Sequence, residues 1–155
     1  MSARLDKTPA GDDTYEQDFH AWAMHQAALL RAGRLTELDA ENVAEEIEAL
    51  ARSEKRELSS RLAVLLLHLL KWSHQTERRG NSWRFTIEEQ RELLAEHLAE
   101  NPSLRARLDT AIHGAYGAAL RRAERETNLP RDHFPSSCPY TAAQVLDEAF
   151  WPDPA

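Results

Sequence analysis

Apolar residues recur along the middle of the chain at Val43, Ile47, Leu50, Leu58, Leu62, Leu65, Leu69 and Trp72. Steps of three and four, or multiples near them, trace one face of a helix. No Gly or Pro interrupts residues 39–75, so nothing local stops that helix. From Leu62 to Leu70 the apolar character spreads around the whole circumference, with His68 the single polar side chain in the run. That pattern predicts a helix buried on nearly all sides there. At about 1.5 Å per residue the helix would reach about 55 Å. A compact chain of this length is only about 40 Å across. The polar stretch Arg52–Glu57 puts Glu54 on the apolar stripe between Leu50 and Leu58. Three outcomes fit: a bend there, an elongated molecule with two packing zones, or a second copy covering part of the helix.

The flanking pattern supplies partners for this helix. A first helix is expected from about Asp12–Thr14, with Tyr15, Phe19, Trp22, Ala23, Leu29 and Leu30 inward and Gly33 as its left-handed stop. The short link Arg34–Leu38 predicts an antiparallel return, with Asp39 as the next cap. Residues 76–85 read as a connector through Gly80, Asn81 and Ser82. Thr86 and Glu89 have capping-box spacing for a third helix to about Glu100, with Ile87, Leu93, Leu94 and Leu98 inward. Asn101 or Pro102 then opens a fourth, carrying Leu104, Leu108, Ile112, Ala115, Tyr116, Ala119 and Ala123 to about Asn128. Its small residues, Gly114 and Gly117 among them, are expected to permit close approach. Residues 131–140 read as a loop, and Thr141 caps a last short helix to about Ala149. The fold expected is all-α: an elongated bundle of about five helices around the long one, 39–75. Residues 1–12 are expected to be a disordered tail, and 13–155 a single helical domain.

Composition narrows the function. The 155 residues hold only five Gly, and few aromatics among abundant Ala, Leu, Glu and Arg, which favours helix. A net charge of -7 argues against a general nucleic-acid binder. One cysteine, Cys138, cannot form an internal disulfide, and the polar N-terminus lacks a secretory pattern. The apolar run around His68 is far short of the roughly 20 residues a membrane span needs. A cytoplasmic protein with no membrane segment is the expectation.

Chemistry could sit on one face of the long helix, where His68, Lys71, Trp72 and Gln75 stand at i, i+3, i+4 and i+7. Trp83 and Arg84 follow, and residues 68–84 carry a formal +3 from Lys71, Arg78, Arg79 and Arg84 against Glu77. Cations beside indoles suit a phosphate, a carboxylate or a stacked base. The plainer reading makes the indoles core and pairs the cations with Glu45, Glu46 or Glu48. His68 reads first as a core histidine with a satisfied ring, second as a general base. A carboxylate–histidine metal bundle is a further alternative: Glu16 with His20, and Asp109 with His113, are i, i+4 pairs, and Glu45 with Glu48 adds carboxylates. The Glu-x-x-His spacing of such bundles is absent. No cofactor is implied, and nothing aligns Cys138 with a histidine.

Several segments in order carry a resemblance: residues 15–22 (YEQDFHAW), 45–48 (EEIE), 68–72 (HLLKW), 82–87 (SWRFTI) with Gln90 and Arg91, 101–104 (NPSL), and Glu126–Thr127 through Phe134–Pro135 to Cys138–Pro139. Together they resemble the bacterial helical proteins of domain-of-unknown-function family twenty-nine, over about residues 15–153. The resemblance implies an all-helical fold and a bacterial, cytoplasmic protein; it implies no activity and no catalytic residues. Ala51 stands where glycine is expected of that family and Thr76 where proline is common, both of which favour a continuous long helix. The leading functional expectation is therefore a non-enzymatic interaction module that binds a protein partner or itself. The competing one is a small-anion or nucleotide binder, or an enzyme, using His68, Lys71, Trp72, Gln75, Trp83 and Arg84.

Overall fold

The computed structural model describes residues 12–155, with side chains from residue 14 onward. The tail expected over residues 1–12 falls outside the described residues except for Asp12, which opens the first helix. Six α-helices are found among the described residues, and no strand. They are α1 (Asp12–Gln17), α2 (Phe19–Arg31), α3 (Ala40–His74), α4 (Asn81–Glu100), α5 (Leu108–Thr127) and α6 (Ala142–Leu146). Short 3-10 turns lie between several of them. None of the helices is long and apolar enough to cross a membrane. Backbone contacts divide the chain into two compact units, Met1–Arg52 and Ser53–Ala155. The all-α expectation holds, and α3 runs unbroken through the polar stretch Arg52–Glu57.

In the first unit the single helix expected before Gly33 is two. The chain breaks at Asp18, whose side chain accepts the Ala21 N–H at 3.0 Å and so starts α2 afresh. Gly33, at φ +70°, ends α2 as expected. The Arg34 N–H reaches back to the Leu29 carbonyl and that of Gly33 to Leu30, the paired bonds of a Schellman stop. Two α2 side chains then fasten the start of α3. Trp22 donates its indole N–H to Asp39 Oδ2 at 3.0 Å, and Gln26 Oε1 accepts the Asp39 N–H at 2.8 Å. Tyr15 reaches Glu46 further along, so the return is antiparallel. Burial here is thin. Trp22, Gln26 and Leu29 are sealed, while Phe19 and Leu30, both expected inward, stand half exposed.

The second unit holds the core. Leu58, Leu62, Leu65, Leu66, Leu67, Leu69 and Leu70 of α3 are fully buried. Ile87, Leu94 and Leu98 of α4, Ile112, Ala115, Tyr116, Ala119 and Ala123 of α5, Phe134 and Val145 complete one cluster. Helix α4 starts at Asn81, not near Thr86. The connector is only the turn Thr76–Arg78 with Gln75, Arg79 and Gly80, so Trp83, Arg84 and Phe85 are helical. The Thr86 hydroxyl, expected as a cap, instead bonds the Ser82 carbonyl inside the helix. Leu93 is only partly buried, and the polar Arg91 and His97 lie inside instead. Of the small residues expected to permit close approach, Ala115 and Ala119 are buried, whereas a Cβ on Gly114 would meet nothing within 4 Å. Asn128 ends α5 in the left-handed region at φ 57°. Thr141 and Gln144 form a full capping box on α6, which stops at Leu146 rather than near Ala149.

Truncating a leucine in this cluster leaves a cavity its neighbours cannot fill. Leu66→Ala should lower unfolding free energy by about 2–5 kcal/mol. Ile47→Ala, in the exposed part of the same helix, should change it by about 0.5 kcal/mol or less. Urea unfolding followed by far-UV circular dichroism reads both.

Candidate functional site

Of the six residues singled out by spacing, the fold brings three into one cluster. The Lys71 ammonium stands 4.7 Å from the centre of the Trp83 ring and 3.0 Å from Glu126 Oε2 on α5. The Lys71 side chain is 12% exposed and that of Glu126 32%, so this is a sheltered ion pair. Glu45, Glu46 and Glu48, expected to neutralise these cations, are engaged elsewhere: Glu45 and Glu48 face Arg52, and Glu46 accepts from Tyr15. His68 lies beside the Lys71–Glu126 pair. Its Nδ1 is 2.8 Å from the Val64 carbonyl one turn back on its own helix, which makes Nδ1 the donor of a neutral ring. Burial pushes the His68 pKa down. The Val64 bond raises it, and the Lys71 charge lowers it further.

Glu126 follows the opposite logic. Burial alone would raise its pKa, but the Lys71 hydrogen bond and charge, with Arg122 and His68 adding, hold it below the ordinary carboxylate value.

The other three residues go elsewhere. Trp72 packs on Trp151 at 4.7 Å between ring centres. Arg79 lies over Trp72, 4.9 Å from its ring centre, with its Nε donating to the Trp72 carbonyl at 2.7 Å. Gln75 is buried at the end of α3. Arg84 lies over Phe85 and bonds Asn81 in the first turn of α4. Two surface cavities of 330 Å³ and 460 Å³ open in this unit. They are lined by residues such as Tyr140 and Phe150, or Arg91 and Glu148, and neither includes His68, Lys71 or Trp83. Cys138 is half-buried, and burial pushes its thiol pKa up, so it stays protonated and unreactive at neutral pH.

A family model described as Domain of unknown function DUF29 matches residues 14–151. The chain belongs to that family. The expected membership is thereby met, and with it a family for which no activity is described. No curated protein and no solved structure matches the chain.

Neither ligand pair read from spacing belongs to the group of three possible metal ligands found among the described residues of this DUF29 chain. Glu16, His20, Asp109 and His113 are all exposed, and none joins a third ligand. Among the described residues, three metal-binding side chains converge at Glu54, Glu57 and His97. Glu54 had already stood out as a carboxylate on an apolar stripe. His97 carried no signal, because only tertiary packing brings α4 onto that turn of α3.

His68 makes stability depend on pH. Its folded pKa is below the unfolded value near 6.5, so the unfolded chain binds the proton first. Stability should be full above about pH 6.5 and fall as pH drops from there toward the folded value. His74, lowered by burial and by His133, adds in the same direction. The depressed Glu126 pKa adds a separate loss only in the acid range below about 4.5. Chemical denaturation between pH 7.5 and 5 should show His68→Gln with a shallower fall than the parent chain.

Proposed function

We propose that this DUF29 chain is a non-enzymatic interaction module that docks through the first part of α3, and that the occupant is a second copy of the chain. The observation that carries this is the exposure of Ile47 and Leu50, 60% and 68%, at i, i+3 on one face. The same apolar stripe, continued to Leu58 and beyond, is sealed by the chain's own helices. Phe19, Met24, Leu30 and Leu35 of the same unit are exposed as well, whereas Phe85 is the exposed large apolar residue of the other. Concentrated apolar exposure of this kind marks an interaction surface more often than scattered single residues do. We place the module in the bacterial cytoplasm, a setting its single thiol suits.

Light scattering coupled to gel filtration should show a mass that rises with concentration toward the dimer, and Ile47→Glu with Leu50→Glu should return it to the monomer. A monomer at every concentration up to about 100 µM, a Kd range readily reached by weak homodimers, would overturn self-association.

The anion-site reading is supported by the Lys71–Trp83 contact, a cation over an indole. Against it stands the Glu126 carboxylate already on Lys71. Titration of tryptophan fluorescence with inorganic phosphate and nucleotides should stay flat into the millimolar range. A saturable change lost in Lys71→Ala would reverse that ranking.

A further inference from the structure

We propose that Glu54, Glu57 and His97 form a binding site for a divalent transition-metal ion of the zinc class, independent of the docking surface. Glu54 and Glu57 stand at i, i+3 on α3, so both carboxylates leave the same side of the helix. His97 comes from α4 and is only 5% exposed, while the two carboxylates are nearly half exposed. His97 Nε2 lies 2.8 Å from the Glu54 main-chain carbonyl. A carbonyl only accepts, so Nε2 is the protonated nitrogen, and Nδ1 presents its lone pair. That lone pair faces Glu54 Oε2 at 3.6 Å and Glu57 Oε2 at 3.7 Å. Three acceptors therefore converge on one space, an arrangement that a cation or an added proton would stabilise.

The spacing fits an ion. Ligands held at about 2.1 Å in tetrahedral coordination stand about 3.4 Å from one another. All three ligand atoms lie within 4.8 Å of each other, so small rotations of two exposed carboxylates close the set. One imidazole and two carboxylates suit a borderline divalent ion, with water in the remaining position on the exposed side. The surroundings are those of a metal ligand set. The second ring nitrogen of the histidine is held by a carbonyl. The other Glu57 oxygen, Oε1, takes two bonds from Arg61, at 3.0 and 2.8 Å, which leaves Oε2 turned inward. Asn101 bridges the His97 carbonyl and Glu54 Oε2 through its Nδ2.

The test uses the full chain, free of any histidine tag and stripped with chelator, and zinc ion alone as the probe. Equilibrium dialysis with elemental analysis should find about one ion per chain. Saturating zinc should raise Tm, because the ion binds the folded state. Glu54→Gln and Glu57→Gln should each weaken binding at least about tenfold, and the pair should abolish both uptake and the Tm rise. Their half-exposed positions leave the helical circular dichroism unchanged, whereas His97 is kept because emptying a buried ring position loosens the unit. The control His20→Ala with His113→Ala should keep full uptake. The proposal is overturned if the parent chain takes up no zinc at about 100 µM, a concentration at which even weak sites fill. It also falls if the double glutamine variant binds as the parent does, or if uptake follows the surface histidines instead.

Discussion

The enclosure of α3 between Leu58 and Leu70 is the constraint from which the second unit follows. Seven leucines there are wholly withdrawn from water. Each such side chain contributes about 1.5–3 kcal/mol of burial. A helix buried all round needs neighbours on every side. Helices α4 and α5 supply two of them, and the segment after Asn128 supplies the rest through Phe134 and Val145. The enclosure also dictates where polar groups go. Tyr116 gives its hydroxyl to the Pro135 carbonyl at 2.6 Å, and Thr127 bonds back to Ala123. Arg91, nearly fully buried, sends its Nε to the Val145 carbonyl at 2.9 Å and Nη2 to that of Gln144. Its guanidinium thus serves two carbonyls in the last turn of α6.

Features governed by local chemistry were legible in the residues, and features governed by distant partners were not. The unbroken α3, the Gly33 stop, the ending of α5 at Asn128 and the Thr141 box depend on residues within a turn of each other. The break at Asp18 was missed because Tyr15, Phe19 and Trp22 keep helical spacing across it, and those three rings do pack together. Helix α4 begins earlier than expected because Asn81 and Ser82 were read as turn formers, a role they equally fill at a helix start. Gln26, Arg91 and His97 are buried by what lies opposite: the Asp39 N–H, the α6 carbonyls and the Glu54 carbonyl. Nothing in their own neighbourhoods announces those partners. The same holds for Lys71, whose counter-ion lies fifty-five residues away at Glu126.

The cations Lys71, Arg79 and Arg84 each meet a different partner. Lys71 meets a carboxylate, Arg79 caps a carbonyl beneath a tryptophan, and Arg84 closes on its own helix turn. The sequence pattern puts Lys71 on a helix and Arg78, Arg79 and Arg84 in a connector, whereas Arg84 falls in the first turn of α4. Spacing along one helix fixes direction only within that helix, so the contribution of Trp83 and Arg84 depended on where α4 begins. With α4 starting at Asn81, Trp83 turns toward Lys71 while Arg84 turns away.

The polar stretch Arg52–Glu57 looked like a flaw in a helix otherwise built for burial. It is also where the chain passes from a thinly covered unit to a sealed one. Before it, Ile47 and Leu50 are open, and after it Leu58 is closed. A helix interior carbonyl normally serves only the N–H four residues on, yet the Glu54 carbonyl also holds a buried imidazole. That second bond spends a lone pair which water would otherwise take, and it draws α4 against α3 where apolar contact begins. If its only purpose were packing, an apolar side chain at position 97 would serve without the cost of burying a ring nitrogen. The histidine leaves one nitrogen facing two carboxylates, and packing alone does not call for that arrangement.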